Sequence, residues 1–565
     1  MFFWEELKNQ IALKLEEKEL SFTYPPDLSL GDLSLACFIT AKKNNIKPQE
    51  QATLWASKLQ TDEIIAAYFS KIEAIGPYVN FFLKTDILAK RVLADINNTK
   101  DEYGFRSLTE KETVMLEYSN GNTHKEYHVG HLRNISYGDS MSNLLEANGY
   151  EVIRVSYIND FGIHTAKTIW NWKNNPEYAN RKEPKGFLLG QCYTQASQRL
   201  SERPEYKMEV AKIMHEIESR FGESYDLWKE TRAWSIAYFA SIYEELGIKF
   251  VKTFYESEVI DEGLEMVDTL LKRGILKESE GAIIADLEAD GLGVLPIIRS
   301  DKTALYPVAD LALAVNKFSL YDLSASYYVV DIRQSLYFKQ LFRVLELLGY
   351  KQRLVHLPYD FVTLPEGMMS SRSGNVITYR DLKDKIKNEL EKETRIRHED
   401  WKTKEVAQVA EDLTIAVIKF EMLKVGADKQ IVFNIEEALR FDGYTACYLE
   451  YSHARLRSII RKEGASYFAG KVDFNLLTEQ KEKELLLKLA KYPEVLLLAG
   501  EKKNPSEIAR YIFELAQISN DYYHAINILK AEKKMKKARL SLIKGVVVTL
   551  RSGFKILGLP ILEEM

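Results

Sequence analysis

Apolar residues at helical spacing run from Phe3 to Leu15 and predict an opening helix. Gly31-Asp-Leu-Ser-Leu-Ala-Cys-Phe-Ile-Thr-Ala-Lys-Lys reads as a turn followed by a helix. Gly76-Pro-Tyr-Val-Asn-Phe-Phe-Leu starts with turn chemistry and ends strand-like. Residues 1–100 therefore read as a small α/β unit, closed by a polar, charged boundary over 97–112. Over 113–385 short apolar runs (Val114-Met-Leu, Val152 to Ile158, Tyr327 to Asp331) alternate with helical patterns, which argues for a parallel sheet with crossover helices. A partly helical stretch at about 165–300, with a lysine- and proline-bearing loop at 174–186, reads as an insertion into that sheet. Beyond 386 strand signals fade, and long helical patterns run to residue 565, as in a helical bundle.

Length and composition narrow the class. A chain of 565 residues has room for three or four domains. With 46% hydrophobic and 28% charged residues it is expected to be globular. No apolar run approaches the roughly 18 residues of a membrane span, and the start, Met-Phe-Phe-Trp-Glu-Glu-Leu-Lys, lacks the pattern of a signal peptide. Cys37, Cys192 and Cys447 are odd in number and far apart, so a disulfide framework is not expected and a reducing cytosol fits. The net charge of −5 requires any nucleic-acid partner to meet a local basic patch. The lysine-rich run from Leu529 to Arg539 suits an RNA contact or a solvated helix face equally.

Candidate chemistry concentrates between Glu117 and Arg133. Four of the nine histidines, His124, His128, His131 and His164, lie in or near this segment. An apolar strand passes through a polar turn into a helix start, where free backbone N–H groups and the helix dipole favour anions. His128 and His131, three apart, are expected on one helix face with Gly130 between them, and Lys125 stands just upstream. The pair suits either a metal, for which no third ligand is evident, or hydrogen bonds to phosphate oxygens. A second signal lies at Pro365-Glu-Gly-Met368-Met369-Ser370-Ser371-Arg372-Ser-Gly374-Asn375. Such a loop can close over a triphosphate, and alone it fits a plain surface turn as well.

Together the two signals resemble the paired motifs of class I aminoacyl-tRNA synthetases. The surrounding residues narrow the resemblance to the arginyl-tRNA synthetases: Glu117-x-Ser-x-x-Asn122-x-x-Lys125-x-x-His128-Val-Gly130-His131, Tyr157-Ile-Asn-Asp160-Phe-Gly162, Tyr306-Pro-Val-Ala-Asp310, Val329-Val-Asp-Ile-Arg-Gln334 and Tyr448-Leu-Glu-Tyr451-Ser-His-Ala-Arg455. The likeness covers essentially the whole chain. It implies a Rossmann-type α/β catalytic domain with an insertion (113–385, insertion 165–300), a small α/β N-terminal domain contacting tRNA (1–100), and an all-α anticodon-binding bundle (386–565). It implies attachment of L-arginine to its tRNA through an arginyl-adenylate, with ATP as substrate, Mg²⁺ accompanying it, no structural metal, and a monomeric, cytoplasmic protein without a membrane partner.

The same resemblance assigns roles. Lys125, His128, Gly130, His131, Ser370, Ser371 and Arg372 are expected to be catalytic, with Met369 also holding ATP. Glu117, Asn122, Tyr306, Asp310 and Gln334 are expected to hold arginine, with Asp310 on the guanidinium. Tyr444, Tyr448, Tyr451 and Arg455 are expected to meet the anticodon loop, or in the case of Tyr448 and Tyr451 to be core residues. Four departures stand out. Met368 and Ser371 occupy places that carry lysines in most class I enzymes, and Lys125 is expected to compensate. Val308-Ala309 replaces the usual Thr-Arg, Asn120-Gly121 the usual Ser-Pro, and His164 a frequent Gln. Two other readings remain: another nucleotidyl transferase with an H-x-G-H site, and a non-catalytic tRNA-binding paralogue.

Overall fold

The computed structural model describes residues 2–363, 365, 377–464 and 471–565. Helix α1 (Phe3–Leu15) spans the residues that the periodicity marked. It packs on an antiparallel sheet of β1 (Ser21–Thr23), β2 (Leu33–Ala36), β3 (Phe69–Ile75) and β4 (Tyr78–Leu83), in the order β1-β2-β4-β3. Helices α2 (Phe38–Lys43), α3 (Pro48–Gln60), α4 (Glu63–Tyr68) and α5 (Thr85–Thr99) complete this unit. The stretch after Gly31 is thus a strand before it is a helix. Leu33 and Leu35 are both fully buried beside β4, and the Asp32 carboxylate accepts the Leu83 N–H at 2.6 Å. Pairing with a strand nearly 50 residues downstream overrides the local helical pattern.

The central sheet is parallel. Its strands are β5 (Thr113–Glu117), β6 (Glu151–Ile158), β7 (Lys252–Tyr255), β11 (Ala325–Asp331) and β12 (Arg353–Tyr359), in the order β12-β11-β5-β6-β7. The chain leaves β5 through α6 (Val129–Ala147) toward β6 on one side, and returns to the other side at β11. The strand order therefore reverses at β5, and such a switch point opens a crevice at the carboxyl ends of the strands.

The expected insertion at 165–300 is corrected in one respect. The helical excursion comprises α7 (Ile163–Lys173), α8 (Lys185–Glu202), α9 (Lys207–Glu218) and α10 (Glu223–Glu245), with a core of its own around Ile169, Trp170, Ile213 and Trp228. The chain then re-enters the central sheet at β7, a four-residue edge strand too short to stand out in the sequence. Helix α11 (Glu256–Lys272) and a small antiparallel sheet, β8 (Lys277–Ser279), β9 (Ala282–Leu287) and β10 (Gly293–Ile298), lead into α12 (Tyr306–Leu320). Helix α13 (Ser335–Leu348) links β11 to β12.

After β13 (Val362–Thr363), which pairs with β14 (Ile431–Val432), the described residues are mainly helical: α14 (Tyr379–Arg397), α15 (Thr403–Leu423), α16 (Ile435–Ala438), α17 (Ala446–Glu463), α18 (Gln480–Lys502), α19 (Ser506–Ala525) and α20 (Lys533–Leu557). One apolar core runs through all three regions, from Phe3 and Val79 through Leu116 and Leu132 to Ile543. Helix α6 lies at its centre and fixes itself to the C-terminal helices by polar contacts. Arg133 donates to the Gly426 carbonyl (2.8 Å), Tyr137 to Lys503 (3.0 Å) and Ser140 to Ile556 (2.9 Å). Buried Asp139 pairs with Lys419 at 3.0 Å, and Lys419 also donates to the Gly558 carbonyl at 2.8 Å.

Candidate active site

A cavity of about 360 Å³ opens at the carboxyl end of β5, where the switch point predicts one. Glu117, Asn122, Tyr306, Asp310 and Gln334 all line it. They come from four places: the end of β5, the turn after it, helix α12, and the turn after β11. Helix α12 supplies Tyr306, Asp310 and Leu313, spaced so that one helical face runs down the wall. Tyr306 is 68% exposed, at the mouth.

The cavity is acidic. The Tyr337 hydroxyl donates to Asp310 Oδ2, and burial pushes the Asp310 carboxyl up to about 7 in spite of this bond. Glu256, the first residue of α11, is buried nearby. Its Oε2 has no hydrogen-bond partner among the described residues, and burial, then the charge of Asp310, pushes the carboxyl up to about 8. Glu117 is 3% exposed and ion-paired with Lys317, which is fully buried. Asn120 Oδ1, Asn159 Oδ1 and the Tyr328 hydroxyl are buried at the same cavity and also unpartnered. Unpartnered acceptors and raised carboxyls suit a ligand with several N–H donors and positive charge.

A second cavity, of about 420 Å³, meets the first at Asn122, which lines both. Lys125, His128 and His131 line it, with Gln191, Tyr193 and Gln198 of α8 opposite and Thr378 and Asp381 at the start of α14. The two histidines are not on one helix face. His128 is the extended N-cap of α6, and His131 is the third residue of the helix. The Gly130 N–H donates to His128 Nδ1 and the His128 N–H donates to His131 Nδ1, both at 3.1 Å. Each ring thus spends Nδ1 as an acceptor, which assigns its proton to Nε2. Burial, and then the Lys125 charge, holds His128 at about 4; burial keeps His131 well below the usual range. Both rings are neutral N–H donors at pH 7. Gly130 is required locally, since a Cβ there would lie 2.9 Å from His128 Cε1. The Lys125 ammonium stands 5.1 Å from the Tyr193 ring centroid.

Other expected residues fall elsewhere. Met368, Met369, Ser370, Ser371 and Arg372 lie outside the described residues. The chain beyond them rejoins the site at once: the Val129 N–H donates to the Ile377 carbonyl, and Tyr379 N–H to that of Tyr127 at 2.7 Å. Val308 and Ala309 do not line the cavity and are buried in two apolar clusters packed on α12, which explains why an apolar pair stands there. His164 is buried on α7 with Nε2 unpartnered. Tyr444 precedes α17 and packs on Phe420 and Phe513, and Tyr448 packs on Phe513 and accepts from Asn520 at 2.9 Å. Tyr451 is 36% exposed, and the Arg455 guanidinium lies 4.4 Å from the Tyr523 ring centroid. Lys317, Tyr328 and Glu256 escaped the sequence reading. Lys317 stands seven residues after Asp310, a helical spacing that could have marked it.

Comparison with known proteins gives the family of the chain. Residues 93–435 match the family described as tRNA synthetases class I (R), catalytic domain. Residues 4–83 match the arginyl tRNA synthetase N terminal domain, and residues 449–565 the DALR anticodon binding domain. The chain is 36% identical over 552 residues to an arginine–tRNA ligase of Bdellovibrio bacteriovorus, covering 96% of this chain and 93% of that one. A ligase of the same name from Halothermothrix orenii is 31% identical, over 98% and 97% of the two chains. Among solved structures, the Thermus thermophilus arginyl-tRNA synthetase superposes with a TM-score of 0.83 at 26% identity, covering 99% of this chain and 100% of that chain.

Proposed function

The chain belongs to the arginyl-tRNA synthetases of class I and joins arginine to tRNA at the expense of ATP, and from this premise we propose how its two cavities divide the work. The acidic cavity holds arginine and the histidine-lined cavity holds the ATP phosphates. The observation that carries this division is their junction at Asn122. A substrate whose guanidinium sits deep in the acidic cavity presents its carboxylate at that junction. There the carboxylate oxygen attacks the α-phosphorus, the bond to the β-phosphate oxygen breaks, and pyrophosphate leaves with the electron pair.

Charge grows on phosphate oxygens in this step, so placed donors and cations lower the barrier. His128 and His131 offer their Nε2–H groups, preset by the cap hydrogen bonds. Lys125 supplies the ammonium missing at Met368 and Ser371. Ser370, Ser371 and Arg372, with Met369, are assigned to the same phosphates by resemblance alone. Asp310 and Glu256 take the guanidinium, and Tyr306 covers the mouth. Glu117, Asn122 and Gln334 orient the α-amino and carboxylate end. A site of this kind rejects citrulline, which lacks the cation, by about 10⁴ or more. Among the described residues no group of three or more His, Cys, Asp or Glu side chains could hold a metal ion. The Mg²⁺ that accompanies ATP is therefore assigned to the phosphates, and none of the roles above runs through it.

The second step transfers arginine to the terminal ribose of tRNA. We assign tRNA reading to the helical region 386–565 and to the unit 1–100, around the catalytic region 113–385. Within α17, Tyr451 and Arg455 are better placed for a base than Tyr444 and Tyr448, which are spent on packing. A monomer in the cytoplasm is the corresponding assignment, and among the described residues no helix is long and apolar enough to cross a membrane. Arginine-dependent ATP–pyrophosphate exchange, with and without tRNA, tests the whole reading. Exchange with arginine and none with citrulline or lysine is expected. No exchange under either condition would sink it in favour of a binding paralogue.

A further inference from the structure

Lys317 is an unusual residue to find beneath an arginine site. It is fully buried on α12, on the face that carries Tyr306, Asp310 and Leu313 along the cavity wall. Its ammonium donates to Glu117 Oε2 and lies 4.8 Å from the Tyr328 ring centroid and 5.9 Å from that of Phe254. A lysine without solvent is retained only if its charge is matched, and here Glu117 matches it. One oxygen of Glu117 is consequently committed to the protein. The other, Oε1, has among the described residues a single long hydrogen bond, 3.4 Å from Asn120 Nδ2, at the wall that both Glu117 and Asn120 contribute to the cavity.

We propose that Lys317 is the positioning residue for the α-ammonium end of the amino-acid substrate: it turns Glu117 Oε1 into the cavity and keeps Glu117 away from the guanidinium end. This rests on the reading of the cavity as the arginine site. The reasoning is one of charge and reach. Glu117 and Asp310 line the cavity, and Glu256 lies close enough to Asp310 to feel its charge, as it does that of Asp160; Tyr157, Tyr306, Tyr328 and Tyr337 are the other titratable residues of the lining. A substrate with two cationic ends could bind such a cluster in either direction. Pairing one carboxyl with a fixed internal cation breaks that symmetry. Asp310 and Glu256 keep full strength for the guanidinium, and the singly committed Glu117 suits the ammonium next to the Asn122 junction. Lys317 touches no substrate atom in this arrangement and acts through Glu117.

The test separates the two ends of the ligand. The full chain is titrated by calorimetry with L-arginine, with 5-guanidinopentanoate, which lacks the α-amino group, and with citrulline, which lacks the guanidinium. In Lys317→Met, arginine binding is expected to weaken about 10- to 100-fold, the loss of one charged hydrogen bond. Binding of 5-guanidinopentanoate should change by no more than about twofold, the scatter expected of an independent site. The preference for arginine over 5-guanidinopentanoate collapses, the preference for arginine over citrulline survives, and in exchange assays the loss appears in KM rather than kcat. Equal weakening of arginine and 5-guanidinopentanoate, or loss of the citrulline discrimination, would overturn the proposal. If Lys317→Met does not fold, the charge-neutral pair Glu117→Gln/Lys317→Met is compared with Glu117→Gln alone. Matching ligand preferences support the proposal, and a further loss in the pair contradicts it. Failure of the wild-type chain to catalyse arginine-dependent exchange would instead remove the arginine reading itself.

Discussion

With arginine in the acidic cavity as proposed, the protonation of Asp310 and Glu256 sets how the site meets its substrate. Both are largely buried acids held near neutrality, at about 7 and about 8, with Glu117, Lys317 and Tyr337 around Asp310, and Asp310 and Asp160 near Glu256. At pH about 6 each carries a proton in the free chain and offers a guanidinium no charge. As pH rises through the two values the ionised forms take over, so arginine affinity should increase up to pH about 9 and binding should release protons below it. Calorimetry in buffers of different ionisation enthalpy measures both effects, and a flat profile from pH about 6 to about 9 would contradict the assignment. Lys125 gives a second test at this scale. It is partly exposed at the histidine-lined cavity, the proposed phosphate site. Lys125→Ala should therefore leave the circular dichroism spectrum intact while ATP–pyrophosphate exchange falls at least about 10²-fold.

The start of α6 is where an element does chemistry. Two reciprocal hydrogen bonds close its first turn and at the same time choose the tautomer of both histidines. Gly130 permits the close approach on which this depends. Alanine is a better helix former than glycine by about 1 kcal/mol, so Gly130→Ala should cost little or no stability. It should nevertheless lower kcat by about 10²-fold, because the new Cβ pushes the His128 ring off its acceptor position. Thermal unfolding and exchange kinetics on the same preparation separate the two effects. Helix α12 shows the same economy in reverse. Its cavity face keeps Tyr306 and Asp310, while Val308 and Ala309 turn into apolar clusters and are free to depart from the family pattern.

Across the whole molecule, α6 ties the histidine-lined cavity to the helical region. Arg133, Tyr137 and Ser140 donate to carbonyls near the C-terminal ends of α15, α18 and α20, and the Asp139–Lys419 pair adds a buried charge contact to Gly558. Gly558 has φ of 66°, and a Cβ there would lie 2.4 Å from Asp139 Oδ2, so backbone and ion pair are in direct register. Lys419→Met, which leaves Asp139 buried without its cation, should destabilise the chain by about 3–5 kcal/mol. Urea unfolding monitored by tryptophan fluorescence measures this, and a change below about 1 kcal/mol would show the pair to be dispensable.

The sequence by itself determined much of this. Period-3.6 apolar spacing marked α1 and the helical C-terminal third, and short apolar runs marked β5, β6 and β11, because these patterns are local. The motif residues Glu117, Asn122, Tyr306, Asp310 and Gln334 were legible one by one as members of a family pattern. Other features depend on partners far away in the chain. β2 and β7 are strands because of the strands beside them. His128 is a cap rather than a helix-face residue because of the turn it closes. Glu256 and Lys317 belong to the site only because α11 and α12 bring them to the end of β5. Burial and charge pairing are properties of three-dimensional neighbours, so the tertiary structure alone decided which acids stay near neutrality and which carboxylate is already paired.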